Sequence, residues 1–135
     1  SKLKEQIVAY DLEEQVFWRG FQKSAQDIYS GINLVVVPTR NEEPFGLIAA
    51  EANAFGLPVL VSPKGGLVEI IEHGHNGWVV ETSNPDVLAN YLEQAILERS
   101  TLIKMGHHGR KRAAALFSKT TMINSIAQII AQDVR

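Results

Sequence analysis

The sequence lacks cysteine, which excludes disulfide bonds and metal sites built from thiolates and fits a reducing compartment. It also lacks an excess of positive charge, because 13 Lys and Arg residues face 15 Asp and Glu residues for a net charge of −2. We therefore expect no nucleic-acid partner. No apolar run approaches the roughly 18 residues that a membrane span needs. The composition, 45% hydrophobic and 21% charged, predicts a globular protein.

Short apolar segments have the composition of strands. Segments 32–38 (INLVVVP) and 58–62 (PVLVS) are rich in β-branched residues, do not alternate with polar residues, and are bounded by Gly or Pro. This pattern is typical of strands covered on both faces, so both should be central in a sheet. Segments 15–20 (QVFWRG) and 77–81 (GWVVE) are shorter candidates. Strands that alternate with helices predict an α/β fold with a parallel sheet.

The segments between the strands have helical patterns with recognisable ends. Ser24 opens a capping-box-like sequence, and Asn84-Pro85 supplies an N-cap and a first turn. Gly56 and Pro58 are typical of the end of a helix. We predict helices over 24–31, 46–55, a segment that begins after Asn84, 100–116 and 119–133.

The chain, residues 1–135, is predicted to form one domain. It begins on an amphipathic helical stretch at Ser1, whereas a doubly wound unit usually begins with a strand and has more than four. We therefore expect further strands to lie upstream in a longer protein. Without them, segment 15–20 or its neighbour would be an exposed sheet edge, with Phe17 and Trp18 poorly covered. Such an edge favours self-association or low stability of the isolated chain.

Two carboxylates, Glu43 and Glu51, are separated by seven residues, with Glu43 just before the predicted apolar helix 46–55 and Glu51 within it. The backbone N–H groups of Phe45, Gly46 and Leu47 would lie at the helix N-terminus, after a parallel strand, where anions and other ligands bind. Glu51 is surrounded in sequence by apolar residues, and a buried carboxylate is costly unless it is paired. It is placed to accept hydrogen bonds from sugar hydroxyls, and Glu43 would lie near the far end of a phosphorylated ligand.

Plainer interpretations of the same residues stay open at this point. Glu43 could be a solvated loop residue that the helix dipole favours. Glu51 could point outward from a surface helix, Gly65-Gly66 could be only a turn, and Glu69 could be an exposed helix residue.

Other catalytic patterns are absent from the sequence. It has no G-x-S-x-G motif, and neither the dinucleotide-binding glycine pattern nor the Walker pattern. The histidines have no cysteine or carboxylate cluster beside them, so we predict no metal site. They are His73, His75, His107 and His108.

Segment 41–81 resembles a known family. Its sequence, NEEPFGLIAAEANAFGLPVLVSPKGGLVEIIEHGHNGWVVE, is similar to the C-terminal domain of family 4 glycosyltransferases of the GT-B fold, which are retaining enzymes. The diagnostic match is the E-x7-E motif, Glu43 to Glu51, with PFGL after the first Glu. The Gly65-Gly66 loop with Glu69, and HNGWVVE, follow in the family's order. VFWRGF and INLVVVPT match the two strands that precede the motif.

The resemblance implies a Rossmann-like parallel sheet flanked by helices and a nucleotide-sugar donor, with no cofactor and no catalytic metal. Glu51 would hold the ribose hydroxyls of the donor. Glu43 would act as the catalytic residue at the transferred sugar, and the backbone at Phe45, Gly46 and Leu47 would contact the diphosphate and sugar. The acceptor would be a sugar, a glycan or a lipid.

The sequence also departs from the family. Nothing matches the strand, loop and strand that open the family's C-terminal domain and carry an Arg/Lys pair for the diphosphate, and nothing matches the N-terminal domain. We therefore expect an N-terminally truncated, donor-binding fragment that is inactive alone. We expect a cytoplasmic location. Attachment of the full-length enzyme to the inner face of a membrane is an alternative that stays open.

Two other functions are alternatives to the glycosyltransferase. The first is a non-catalytic binding or assembly module with the same fold, which the intact glutamates disfavour. The second is a nucleotide-sugar epimerase of the GT-B type, and the form EPFGLIAAEA argues against it.

Overall fold

The structure, a computed structural model, describes residues 1–133. These residues form two compact units, the first ending at Ser30 and the second beginning at Gly31. The prediction of one domain covers residues 1–135. Because residues 134 and 135 lie outside the described residues, the single domain stays a prediction.

The first unit contains two helices, α1 (Lys2–Ala9) and α2 (Ala25–Tyr29). The Ser24 hydroxyl accepts a hydrogen bond from the Asp27 N–H over 3.1 Å and donates one to the Asp27 carboxylate over 2.7 Å. Such a cap satisfies one of the free N–H groups of the first turn. The helix predicted at 24–31 is confirmed.

The strand predicted at 15–20 is wrong. The N–H groups of Gln15 and Val16 both donate to the Leu12 carbonyl over 3.0 Å, so this segment begins in a turn. A strand needs a neighbour for its backbone hydrogen bonds, and residues 1–30 contain no strand. Phe17 and Trp18 are 76% and 58% exposed, as expected for aromatic residues without such a neighbour.

The second unit contains a parallel sheet in the order β1-β2-β3. Its strands confirm three of the predicted ones with shorter bounds: β1 (Val35–Val37), β2 (Val59–Val61) and β3 (Gly77–Val79). β2 is central and buried, as predicted. β1 was expected to be central too, but it is an edge of the sheet over the described residues and is half-buried. A strand on its other side would be needed to cover it. Self-association through such an edge stays a prediction.

Five helices belong to the second unit over the described residues, and the predicted ends of four of them, all except α4, agree with the structure to within about one residue. They are α3 (Leu47–Ala54), α4 (Leu67–Ile70), α5 (Pro85–Leu97), α6 (Arg99–Leu116) and α7 (Lys119–Asp133). The Asn84 side chain caps α5 by accepting hydrogen bonds from the N–H groups of Asp86 and Val87 over 3.0 and 3.4 Å. Every helix within residues 1–133 is too short or too polar to cross a lipid bilayer.

The sheet has apolar packing on both faces. On one face, strand residues pack with residues of α5 and α6, and this cluster contains Leu60, Trp78, Val80, Ala95, Leu102 and Met105. Because side chains alternate along a strand, Val59 and Val61 point to the opposite face. Helix α3 contacts β1 and β2, and its Ala49 and Ala52 have no exposed surface. Small residues at these positions let the helix approach the sheet closely.

A pair of buried side-chain amides joins α3 to the loop before β3. Asn53 and Asn76 are each 1% exposed. The Asn76 amide donates to the Asn53 side-chain oxygen over 2.6 Å and to the Ile70 carbonyl over 3.0 Å. The Asn53 amide donates to the carbonyls of Leu57 and Asn76 over 3.0 and 3.3 Å. The Glu72 N–H donates to the Asn76 side-chain oxygen over 2.7 Å. Both amides are therefore satisfied, as burial requires.

Two glycines let α6 approach this pair. A Cβ atom at Gly109 would lie 2.8 Å from Cγ of Asn53, and one at Gly106 would collide with the Gly56 carbonyl oxygen. Glycine is therefore needed at both positions for space, and α6 contacts the C-terminal end of α3 through bare backbone.

We predict that Asn76→Ala lowers the free energy of unfolding by about 2–4 kcal/mol, because it leaves buried polar partners unsatisfied. Urea titration followed by circular dichroism measures this. Asn90→Ala, at an exposed position of α5, is the matched control and should change the value by less than about 0.5 kcal/mol. Equal losses in the two variants would contradict the role assigned to the buried pair.

Candidate functional site

The loops after β1 and β2 are in direct backbone contact. The Gly66 N–H donates to the Glu43 carbonyl over 2.7 Å. Gly65 has a φ of +49°, and a Cβ atom there would collide with the same carbonyl oxygen. The interpretation of Gly65-Gly66 as only a turn before α4 is therefore incomplete. The pair also contacts and supports the backbone at Glu43.

Glu43 is half-buried, and its carboxylate accepts a hydrogen bond from the Gly46 N–H over 3.2 Å. The interpretation as a fully solvated loop residue is therefore wrong. The expectation that the Gly46 N–H is free for an anion is also wrong, because this N–H already donates to the Glu43 carboxylate. A carboxylate three residues before this N–H is favoured there by the helix dipole.

Gly46 precedes α3 in a left-handed conformation, with a φ of +87°. A Cβ atom at this position would lie 2.7 Å from Cδ2 of Leu67, and Leu67 has no exposed surface. Glycine is therefore required here both by the backbone conformation and by packing against α4.

An open cleft of ≈ 400 Å³ separates α3 from the C-terminal part of α6. Its walls contain three of the predicted site residues, together with small side chains that leave the space open. The lining residues are Phe45, Leu47, Ala50, Glu51, Ala54, Arg110, Ala113, Ala114, Phe117 and Ser118. Glu43 and Gly46 lie just before this helix wall, joined by their hydrogen bond.

Glu51 is half-buried on the wall of this cleft. The expectation that water is excluded around it is wrong, because Leu47 and Ile48 on the same side of α3 are 59% and 53% exposed. Arg110 lines the same cleft. The lining of the cleft therefore contains one carboxylate, one guanidinium and one hydroxyl among apolar side chains.

The Phe45 ring contacts the ring of Phe117 edge to face, with 6.0 Å between the centroids and 86° between the planes. Only the backbone of Phe45 was predicted to take part in the site. The α6 side of the cleft, Arg110, Phe117 and Ser118, was not predicted at all. No local pattern in the sequence marks this side of the cleft, because these residues lie far along the chain from α3.

A third carboxylate, Glu81, follows β3 at the same edge of the sheet. Hydrogen bonds from the Ser83 hydroxyl over 2.6 Å and from its N–H over 3.2 Å lower the pKa of the Glu81 carboxyl. The positive charge of Lys64 acts in the same direction. Glu81 is therefore an acceptor of hydrogen bonds at neutral pH and not a proton donor.

The histidines do not form a metal centre with other side chains. The His73 ring accepts a hydrogen bond from the Val79 N–H over 3.2 Å, and the rings of His75 and His108 stack with 6.4 Å between centroids. Within residues 1–133, no group of three or more possible metal ligands is present.

Comparison with known proteins identifies the class. The family described as glycosyl transferases group 1 matches residues 1–112. The chain therefore belongs to the group 1 glycosyltransferases. The segment matched includes both glutamates and the whole of α3.

Individual relatives agree with this family. An uncharacterized glycosyltransferase of Methanocaldococcus jannaschii is 42% identical over 80 residues, 58% of this chain and 20% of that protein. Anabaena HepE in complex with UDP superposes with a TM-score of 0.91 at 27% identity, over 97% of this chain and 36% of HepE. Sucrose-phosphate synthase of Thermosynechococcus elongatus gives a TM-score of 0.87 at 30% identity, over 97% of this chain and 33% of the synthase.

These matches confirm the predicted fold. The parallel sheet flanked by helices is that of the C-terminal domain of GT-B glycosyltransferases. The chain spans between 20% and 36% of the length of the three relatives.

We predict that Gly65→Ala lowers the free energy of unfolding by about 2–5 kcal/mol, because it combines a left-handed backbone with a collision against Glu43. Gly74→Ala is the matched control, since Gly74 also has a positive φ, +82°, but has open space around it. It should lose only about 1–2 kcal/mol. Thermal unfolding measures both, and equal losses would contradict the backbone contact.

Proposed function

We propose that the chain is the donor-binding part of a retaining glycosyltransferase, which transfers a sugar from a nucleotide-sugar donor to an acceptor. The observation that carries the proposal is the position of Glu51. Its carboxylate lines an open cleft beside the start of α3, at the carboxyl edge of a parallel sheet, where α/β proteins bind ligands. No metal is needed in this scheme, because donors at a helix N-terminus and cationic side chains balance a diphosphate.

Solved relatives support the donor class. Structures of Anabaena HepE contain UDP, UDP with glucose, and UDP-glucose. HepE is 27% identical to this chain and superposes over 97% of it. UDP is therefore the first nucleotide to test, with the sugar to be found by comparing donors.

Each matched residue has a role in the proposed complex. Glu51 accepts hydrogen bonds from the ribose hydroxyls, which are strong because the acceptor is charged. The backbone at Phe45, Gly46 and Leu47 meets the diphosphate and the sugar. Glu43 contacts the transferred sugar.

The hydrogen bond between Glu43 and Gly46 adds a step to this scheme. A donor phosphate and the Glu43 carboxylate are both anions, and they compete for the Gly46 N–H that Glu43 now occupies. Donor binding would therefore move Glu43 from this N–H to a sugar hydroxyl, and the freed N–H would face the diphosphate.

We infer that the acceptor binds to the part of the enzyme that corresponds to the portion of the relatives that this chain does not span. We propose that transfer requires that part, that the acceptor is a sugar, glycan or lipid, and that the enzyme acts in the cytoplasm. The isolated chain would then bind the donor without transferring its sugar.

We predict that Glu51→Ala weakens the binding of UDP by roughly 1–3 kcal/mol, because charge-assisted hydrogen bonds to the ribose are lost. Isothermal titration calorimetry of the protein with UDP measures this. Glu93→Ala removes the same charge from the exposed side of α5 and should leave the affinity unchanged. An unchanged affinity in Glu51→Ala would rule out the ribose contact.

We predict that Glu43→Gln lowers kcat of the full-length enzyme about 100-fold or more while UDP affinity changes by less than about threefold, as for a contact that strengthens in the transition state. Initial rates at saturating donor, with calorimetry alongside, separate the two effects. The neighbouring exposed Glu42→Gln is the control and should keep normal turnover. Normal turnover in Glu43→Gln would remove it from the reaction.

A further inference from the structure

A second cleft, of ≈ 430 Å³, lies on the opposite flank of α6 from the one that contains Glu51. Its lining comes from α6 and from the loop before β3, and it shares no residue with the first cleft. On α6, residues 108, 111 and 112 face this second cleft and residues 110, 113 and 114 face the first. The helix therefore separates two distinct sites.

The second cleft lies on the most basic element of the chain. Helix α6 carries five of the 13 Lys and Arg residues and none of the 15 Asp and Glu residues. The rest of the chain is consequently acidic. A concave surface next to such a helix attracts anions, because low-dielectric walls focus the field of the charges.

The acidic side chain in the second cleft is already neutralised. Arg112 donates to the carbonyls of Ile70 and Glu69 over 3.0 and 2.9 Å, and it lies 3.6 Å from the Glu72 carboxylate. Arg112 therefore serves the structure and balances Glu72. Lys111 lines the same cleft, is exposed, and forms no ion pair with a carboxylate among residues 1–133.

Two imidazoles line the same cleft as Lys111. The rings of His75 and His108 are stacked, with 6.4 Å between centroids and 20° between planes, and both line the cleft. The described residues contain no third ligand that would make this pair a metal site. Two imidazole N–H groups and a Lys ammonium are instead a set of donors suited to an anion with several oxygens.

We propose that this cleft binds a phosphate group through His75, His108 and Lys111. The group belongs to a small phosphorylated molecule or to a lipid headgroup, since both present the same oxygens. This site is independent of the proposed donor site, because its residues do not line the donor cleft.

Two probes distinguish these sources. Inorganic phosphate is titrated into the protein while the imidazole resonances of His75 and His108 are followed by NMR, with chloride at equal ionic strength as the reference. Flotation with phosphatidylcholine vesicles that contain phosphatidic acid tests the headgroup, with pure phosphatidylcholine vesicles as the reference. Saturable shifts with phosphate, or flotation only with phosphatidic acid, support the proposal and identify the source.

Substitutions test the cleft itself. Lys111→Gln should weaken binding about tenfold, as expected for one charge-assisted contact, and His108→Gln should weaken it as well. Lys104→Gln removes the same charge from α6 outside the cleft and should change binding less than about twofold. Circular dichroism checks that each variant is folded.

Two results would overturn the proposal. One is the absence of a saturable response to either probe. The other is an equal loss of binding in Lys104→Gln and Lys111→Gln, which would indicate a diffuse basic surface and not a site. UDP does not enter these measurements, so their failure is distinguishable from failure of the proposed donor site.

Discussion

The buried amide pair of Asn53 and Asn76 is the contact on which the rest of the second unit depends. It joins the end of α3 to the loop before β3, and through the Ile70 carbonyl it reaches α4. The same carbonyl accepts a hydrogen bond from Arg112 of α6. The Ile70 carbonyl oxygen thus connects α4 with α6 and with the loop before β3. In a low-dielectric interior such a network is stabilising only when every member is satisfied, which ties the positions of these elements together.

The position of the glutamates follows from that network. Hydrogen bonds from Asn76 and Arg112 hold α4 in place. Its Leu67 therefore lies beside Gly46, and this contact fixes the position of the start of α3. Gly66 holds the backbone of Glu43 from the other side. The backbone at Glu43 and Gly46 is therefore fixed by close contacts with the Gly65-Gly66 loop and with α4. Movements of other side chains would change these contacts little.

Local patterns in the sequence predicted most helices and strands, because periodicity and capping residues act over a few positions. The prediction of a strand at 15–20 was wrong because a strand also needs a neighbouring strand. The composition of a segment does not show whether such a neighbour is present. The motif from Glu43 to Glu51 was found because both glutamates belong to one short segment of the sequence. Its opposite wall at Arg110 was missed, since that residue lies far along the chain and only the fold brings it near. The exposure of Glu51 depends on the same long-range packing.

The sequence Gly106-His107-His108-Gly109 has a consequence for how the protein tolerates change. The two glycines face α3, where even a methyl group would meet Gly56 or Asn53, while the two histidines are exposed. In a library of all single variants scored for folding, this one turn of helix would contain two positions that reject any side chain beside two exposed positions that tolerate most of them. A helical glycine, usually regarded as a weak point, is here required by the close packing of α6 against α3.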